Sequence, residues 1–128
     1  MKTAIDYDKQ NGMYHFNKGL IKMNMNKVDE AIDALKKAAQ HIEPNNNDQL
    51  YQARFNLGVC YRRKRNLDES IEQFRKALIL NPEKASCLNN LGLSFFEQGD
   101  YEEAIPNFNK AIRLERSPLY FNNRALAY

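Results

Sequence analysis

One stretch of the sequence occurs twice and decides the fold. Residues 55–82 read FNLGVCYRRKRNLDESIEQFRKALILNP, and residues 89–116 read NNLGLSFFEQGDYEEAIPNFNKAIRLER. The glycines of the two copies, Gly58 and Gly92, stand 34 residues apart. A fixed period of this length is typical of stacked helical hairpins, because one hairpin alone is too small to bury its apolar face. The period therefore predicts an all-α fold built from stacked helix pairs.

Matching positions extend the repeat toward both ends of the chain. A weaker first copy keeps the same offsets with Gly19, Ala31, Leu35 and Ala38. A last copy begins within YFNNRALAY, residues 120–128, where Ala125 takes the glycine position. The repeat thus covers most of the chain.

The spacing Leu-Gly-x2-Tyr, then Ala-x3-Phe, then Pro resembles the tetratricopeptide repeat family over about residues 12–128. The second copy carries it with Leu57, Gly58, Tyr61, Ser70, Phe74, Ala77 and Pro82. The third copy carries it with Leu91, Gly92, Phe95, Ala104, Phe108 and Ala111. The resemblance implies a right-handed α-α superhelix, or solenoid, of antiparallel helix pairs, with three full hairpins plus the first helix of a fourth.

The same resemblance divides the chain into two parts. Residues 1–11 are expected to form an N-terminal extension of the first helix, and residues 12–128 the repeat domain. The repeats are expected at about residues 12–50, 51–84 and 85–117, with a partial repeat at 118–128.

Seven helices are predicted, at about residues 9–25, 28–42, 49–64, 67–80, 84–97, 101–114 and 118–128. Asp100 with Glu103, and Asn66 with Glu69, have the spacing of a side-chain cap at a helix start. Pro106 lies inside the sixth predicted helix, where it supplies no N–H donor and favours a bend.

The composition limits the kinds of partner and the cellular compartment that can be expected for the protein. The formal net charge of +3 is too small to indicate a nucleic-acid partner by itself. The sequence contains no apolar run of about 20 residues, so it predicts no transmembrane helix. Residues 1–10 also lack the apolar stretch that is typical of a signal peptide. We therefore expect no membrane association and a cytoplasmic location by default, with the nucleus as the alternative.

Chemistry-bearing side chains do not assemble into a catalytic pattern in the sequence. Cys60 and Cys87 fall on helical positions of the buried type and lack the spacing of a metal site. His15 and His41 have no Ser, Asp or Cys at offsets that suggest a triad, and no glycine-rich phosphate loop occurs. The sequence predicts a non-catalytic protein without cofactor, metal or small-molecule substrate.

An asparagine stands two residues before the glycine or alanine of every copy. These four residues, here called the Asn ladder, are Asn17, Asn56, Asn90 and Asn123. Core packing does not explain them, because Asn is a mediocre helix former whose amide both donates and accepts hydrogen bonds. Three residues after each Asn, on the same helix face, lies an apolar rail of Leu20, Val59, Leu93 and Leu126.

The family resemblance implies that the first helix of each hairpin lines a concave groove, so the Asn ladder and the apolar rail are placed there. Family members with such a ladder use the amides to grip the backbone of an extended peptide, which implies a protein or peptide partner. The alternative is that these Asn side chains cap or brace the loops without a ligand.

A basic run, residues 62–65, leaves two interpretations open. It is a solvated helix end that complements the helix dipole, or it contacts a phosphate or an acidic peptide. On the second interpretation Arg62 and Arg63 join the ladder as binding residues and favour acidic ligands.

A second binding mode of the family requires Lys and Asn on one first helix, Asn on the next, and Lys and Arg on the third. Its members bind the C-terminal carboxylate of chaperones. The corresponding residues here are Phe16, Leu20, Asn56, Ser86 and Asn90. Because only Asn56 fits, we predict that this chain does not bind chaperone tails.

A structural role is the alternative function, because many members of the family are scaffolds within large assemblies. The last predicted helix carries Leu119, Phe121, Leu126 and Tyr128 without a later helix to cover them. A terminal solenoid helix normally presents a polar outer face. We therefore expect further repeats, a covering partner, or self-association or fraying through residues 118–128.

Overall fold

A computed structural model describes residues 4–128 of the chain, with side chains from Gln10 onward. The seven helices along this part of the chain are α1 (Ala4–Asn24), α2 (Val28–His41), α3 (Asn47–Arg63), α4 (Leu67–Leu80), α5 (Ala85–Gln98), α6 (Tyr101–Leu114) and α7 (Pro118–Ala127). They confirm the predicted all-α fold and place each helix close to its predicted span. The largest difference is at α1, which begins at Ala4 instead of at about residue 9.

The helices form antiparallel hairpins that stack in chain order. The most extensive contacts join α1 with α2, α3 with α4, and α5 with α6, while α2–α3, α4–α5 and α6–α7 contacts join successive hairpins. The first helices also touch one another directly, α3 with α5 and α5 with α7. Among the described residues the second helices make no comparable contact with one another, so the first helices line the inner, concave side of the superhelix.

The first helix of each complete hairpin ends in the same turn. Asn26, Arg65 and Gly99 have positive φ angles of 58°, 66° and 86°. The N–H of the following residue returns to a carbonyl in the last turn of the helix; for example, Asp100 N lies 2.9 Å from the Phe95 carbonyl oxygen. This left-handed C-terminal turn reverses the chain and sets the angle at which the second helix packs back.

The two predicted helix caps have different outcomes. The Asp100 carboxylate accepts a hydrogen bond from Glu103 N at 3.3 Å, which confirms that cap. Asn66 occupies the equivalent position, but its side chain makes no capping hydrogen bond, so that prediction was wrong. α6 continues as a helix through Pro106.

Three glycines permit the close packing within each hairpin. A Cβ atom built on Gly58 would lie 2.5 Å from the Phe74 ring, and one on Gly92 would lie 2.6 Å from the Phe108 ring. At Gly19 the nearest atom is Cγ of Leu35, at 2.7 Å. The repeat pattern predicts that small residues of the second helices face these glycines, namely Ala31, Ser70 and Ala104. The closest neighbours are instead large side chains four residues further along those helices, namely Leu35, Phe74 and Phe108.

Buried polar contacts join neighbouring repeats. The hydroxyls of Ser70 on α4 and Ser94 on α5 are fully buried and lie 2.6 Å apart. Cys60 and Cys87 are both buried, as predicted, and both are free thiols. The thiol of Cys87 lies 3.6 Å from the Phe74 carbonyl oxygen. The interface between the second and third hairpins therefore carries polar contacts inside an apolar core.

Candidate functional site

The concave side carries a repeated polar row. Asn17 on α1 is exposed, and Asn56 on α3 and Asn90 on α5 are half-buried. Since α3 and α5 are in direct contact, Asn56 and Asn90 occupy equivalent places on adjacent helices. The structure thus brings Asn56 and Asn90 to one surface.

The two central amides are held in the same way. Asn56 donates from Nδ2 to the Gln52 carbonyl oxygen at 2.8 Å, and Asn90 donates to the Ser86 carbonyl oxygen at 2.8 Å. Each bond uses one of the two amide hydrogens of Asn. The second hydrogen and the carbonyl oxygen are not consumed by it. These bonds fix the side-chain orientation and so lower the conformational entropy that a bound ligand would cost.

The fourth ladder residue differs from the others. The Asn123 amide donates from Nδ2 to Oδ1 of Asn89 at 3.0 Å, and Asn123 is only 9% exposed. Asn123 therefore braces α7 against α5 instead of presenting its amide to the groove. The expectation of four equivalent ladder positions was wrong at Asn123, because the neighbouring repeat supplies an acceptor there.

The apolar rail lies beside the ladder. Leu20, Val59 and Leu93 are half-buried, and Val59 and Leu93 pack against the main core. Leu126 on α7 is 68% exposed. The rail is thus a firmly supported apolar surface on α3 and α5 and a more open one at α7.

A cavity of about 340 Å³ opens at one side of this surface, toward the N-terminal end of α3. It is lined by Phe16, Asp48, Gln49, Tyr51, Gln52, Asn81 and Lys84. The Lys84 ammonium lies 5.6 Å from the centre of the Tyr51 ring. Sequence reasoning missed this cavity. Gln52 lies one helical turn before Asn56 on the ladder face. Asn81 and Lys84, however, come from a loop whose position only the stacking of hairpins defines.

The basic residues at the end of α3 fall into two groups. Arg62 is committed to an ion pair: its Nε and Nη2 atoms lie 2.9 and 2.8 Å from Oε1 of Glu97. Arg65 Nη1 lies 2.8 Å from the other oxygen, Oε2. Arg63 is exposed and lines, together with these three residues, a cavity of about 220 Å³. The sequence did not indicate Glu97 as the partner of Arg62, since the two residues lie in different repeats.

The buried ionisable side chains are held in their neutral forms. Burial raises the pKa of the Cys60 thiol to about 11 and that of Cys87 to about 12. Burial also raises the pKa of the Tyr51 hydroxyl. At neutral pH both thiols are therefore protonated, and a thiolate is the form that acts as a nucleophile.

Comparison with known proteins assigns the chain to the same family that the sequence repeat resembles. The model described as "Tetratricopeptide repeat" matches residues 51–84 and 85–118, and a second model of that description matches residues 14–40. The chain belongs to the tetratricopeptide repeat family. The family resemblance inferred from the sequence is thereby confirmed.

Among curated proteins, the chain is similar to the photosystem I assembly protein Ycf3 of Prochlorococcus marinus (strain MIT 9215). The two are 33% identical over 89 residues, which is 70% of this chain and 50% of that protein. The tetratricopeptide repeat chain described here thus spans about half the length of this relative.

Among solved structures, the C-terminal TPR-containing domain of a putative FK506-binding protein from Plasmodium falciparum superposes with a TM-score of 0.89 at 20% identity, covering 98% of this chain and 91% of that one. The first TPR of Spaghetti (RPAP3) bound to the HSP90 peptide SRMEEVD superposes with a TM-score of 0.82 at 22% identity, covering 92% and 90%. At these identities the superpositions confirm the helical-repeat superhelix.

Proposed function

We propose that this chain is a non-catalytic protein–protein interaction module that holds an extended peptide in its concave groove. The contacts are assigned to Asn17, Asn56 and Asn90, with the apolar rail beside them. The single observation that carries the proposal is the matched bracing of Asn56 and Asn90 on adjacent first helices. Membership of a family whose domains mediate protein–protein interaction supports the general class.

The chemistry of a peptide backbone matches these amides. Each peptide unit offers one N–H donor and one carbonyl acceptor, and an Asn amide offers the complementary pair. Packed helices lie about 8–10 Å apart, and an extended chain rises about 3.3 Å per residue. One Asn per helix would therefore meet about every third residue of an extended peptide. Such contacts tolerate many sequences, and the neighbouring side chains supply preference.

Asn107 provides an internal control for the bracing itself. It lies on α6, a second helix, and donates from Nδ2 to the Glu103 carbonyl oxygen at 2.9 Å. Because the same bond occurs away from the groove, the bond alone does not indicate a ligand. What distinguishes Asn56 and Asn90 is their repetition on the concave side.

Replacing both Asn56 and Asn90 by Ala is expected to weaken binding of a peptide selected on the wild-type protein by about 1 kcal/mol per lost hydrogen-bonding pair. Folding should change little, because both side chains are partly solvent-exposed. Isothermal titration of the selected peptide, with thermal unfolding in parallel, measures both effects. Asn107→Ala removes an equivalently braced amide from the outer side and should leave affinity unchanged. Undiminished affinity in the double variant would reject the ladder as the binding surface.

The proposed groove differs from the binding mode by which members of this family hold the C-terminal carboxylate of chaperones. The RPAP3 domain has the same fold and is bound to an HSP90 peptide, whereas this chain has Phe16, Leu20 and Ser86 at positions where that binding mode needs polar or basic side chains. We propose that the present chain binds its peptide ligand along the peptide backbone and not through a C-terminal carboxylate.

A structural role in an assembly is the second candidate function. Its support is the exposed apolar surface at α7, where Leu119 and Leu126 are 58 and 68% exposed, and Tyr128, directly after the helix, is 80% exposed. Phe121, by contrast, is half-buried, and the guanidinium groups of Arg116 and Arg124 lie 5.9 and 5.3 Å from its ring centre. The exposed apolar face is suited to cover by another protein surface.

The isolated 128-residue chain is therefore expected to self-associate through α7. Leu119→Ser with Leu126→Ser should make it monomeric, because the double substitution removes two exposed apolar side chains from one face. Sedimentation velocity over a range of concentrations measures the effect. Ile79→Ser, on an 81% exposed residue of α4, is the matched control. A wild-type chain that stays monomeric at millimolar concentration would contradict this role for α7.

A further inference from the structure

We propose that Arg62, Arg63, Arg65 and Glu97 form a subsite for an oxyanion-bearing side chain of the bound peptide, and that Glu97 acts as an internal counter-ion that limits its affinity. These four residues are here called the arginine subsite. The inference rests on the proposed function and adds to it a ligand class.

The arginine subsite is continuous with the groove. Arg63 lies seven residues after Asn56 on α3, and Glu97 lies seven residues after Asn90 on α5. Seven residues are two helical turns, a distance of about 10 Å along the helix axis. Val59 and Leu93 of the apolar rail fill the space between. A peptide lying over the rail would therefore bring a side chain of ordinary length to the subsite.

The internal ion pair leaves donors unused. Glu97 receives Nε and Nη2 of Arg62 on one oxygen and Nη1 of Arg65 on the other, at 2.8–2.9 Å. Each guanidinium carries five N–H donors. The two arginines thus keep most of their donors, and Arg63 adds a complete set at the wall of the 220 Å³ cavity. Planar guanidinium groups suit bidentate recognition of carboxylate and phosphate.

The charge balance of the subsite favours a multiply charged ligand. Three guanidinium groups and one carboxylate leave a net charge of +2. A phosphorylated side chain carries about −1.5 to −2 at neutral pH, whereas Asp or Glu carries −1. Lys64 is paired with Asp29 on α2 and lies outside this balance. The subsite therefore fits a phosphoserine or phosphothreonine better than a glutamate, although both supply the same oxyanion chemistry.

A purely structural role for these residues makes a different prediction. The Arg62–Glu97–Arg65 ion pairs join α3 to α5, so they also stabilise the contact between repeats. Arg63 takes no part in that bridge. An effect of Arg63 on anionic peptides, without an effect on stability, distinguishes a ligand site from a structural bridge.

The test uses three degenerate nonapeptide libraries with Ser, Glu or phosphoserine fixed at the central position, and fluorescence anisotropy as the readout. The wild-type protein is expected to bind the phosphoserine library about tenfold more tightly than the Ser library, with the Glu library between them. Arg63→Gln should remove most of this preference and leave the Ser library and the melting temperature unchanged. Arg113→Gln, on an exposed residue of α6, is the charge-matched control.

Glu97→Gln tests the counter-ion role. It should strengthen binding of the phosphoserine and Glu libraries several-fold, because it raises the net charge from +2 to +3, and should steepen their salt dependence. Weaker binding of both anionic libraries by Glu97→Gln at unchanged stability would overturn that role.

The failure of this inference is distinguishable from failure of the proposed function. Equal binding of the three libraries by the wild-type protein would overturn the arginine subsite. If Asn56→Ala with Asn90→Ala then weakened all three libraries alike, the ladder proposal would stand. A phosphoserine preference that survives in the Asn variant with undiminished affinity would support the subsite and reject the ladder.

Discussion

Replacing Gly92 by leucine is expected to unfold the stack or to destabilise it by about 1–3 kcal/mol or more. A Cβ at this position would lie 2.6 Å from Cε1 and 2.8 Å from Cδ1 of Phe108, well inside van der Waals contact. Phe108 is fully buried in the largest core cluster, and a close-packed core leaves little room for a ring to move. The side chain would therefore force α5 and α6 apart. Chemical denaturation followed by circular dichroism measures the loss.

Ala125 supplies the control for this substitution. It occupies the glycine position of the last copy, on α7, but it is exposed. Ala125→Leu should therefore change the free energy of unfolding by no more than about 0.5 kcal/mol. If Gly92→Leu melted at the wild-type temperature, the close approach of α5 and α6 would be wrong.

Phe74→Ala is expected to reduce the free energy of unfolding by about 3–5 kcal/mol. Phe74 is fully buried, belongs to the largest core cluster and covers Gly58. Its ring also meets Phe55, with ring centres 5.8 Å apart. Truncation leaves a cavity between α3 and α4, within a core cluster that also includes residues of the third hairpin. A solenoid depends on such packing within and between neighbouring repeats for its stability.

Ile79 is the matched control on the same helix, because it is apolar and 81% exposed. Ile79→Ala should leave the free energy of unfolding, measured in urea, within about 0.5 kcal/mol of the wild type. A Phe74→Ala chain as stable as Ile79→Ala would show that the α3–α4 packing is not as described.

The fold could be predicted from the sequence because several copies of the repeat carry the same pattern, and each copy predicts the same helical hairpin. Gly58 and Gly92 recur at the same offset from large apolar residues, and that spacing alone defines a helical hairpin. Helix ends were less predictable. Asp100 caps α6, but Asn66 does not cap α4, although the two have equivalent spacing to the next glutamate. α3 begins two residues earlier than predicted, because Asn46 accepts a hydrogen bond from Gln49 N.

The candidate site could be predicted where it depends on one helix, and not where it depends on contacts between repeats. The bracing of Asn56 and Asn90 involves residues four positions earlier on the same helix. The engagement of Asn123 with Asn89, and of Arg62 with Glu97, joins residues 34 and 35 positions apart. The residue pattern within one repeat does not indicate which side chain of the next repeat will contact a given residue.

The most direct test of the central claim follows the side-chain amides of Asn56 and Asn90 by NMR during titration with a peptide selected on this protein. The account predicts that both Nδ2 resonances shift and that their hydrogens become protected from exchange with solvent, because they bond the peptide backbone. The Asn107 amide, braced in the same way on α6, should not move. If the peptide saturates the protein while the Nδ2 resonances of Asn56 and Asn90 do not shift, the Asn ladder does not hold the ligand.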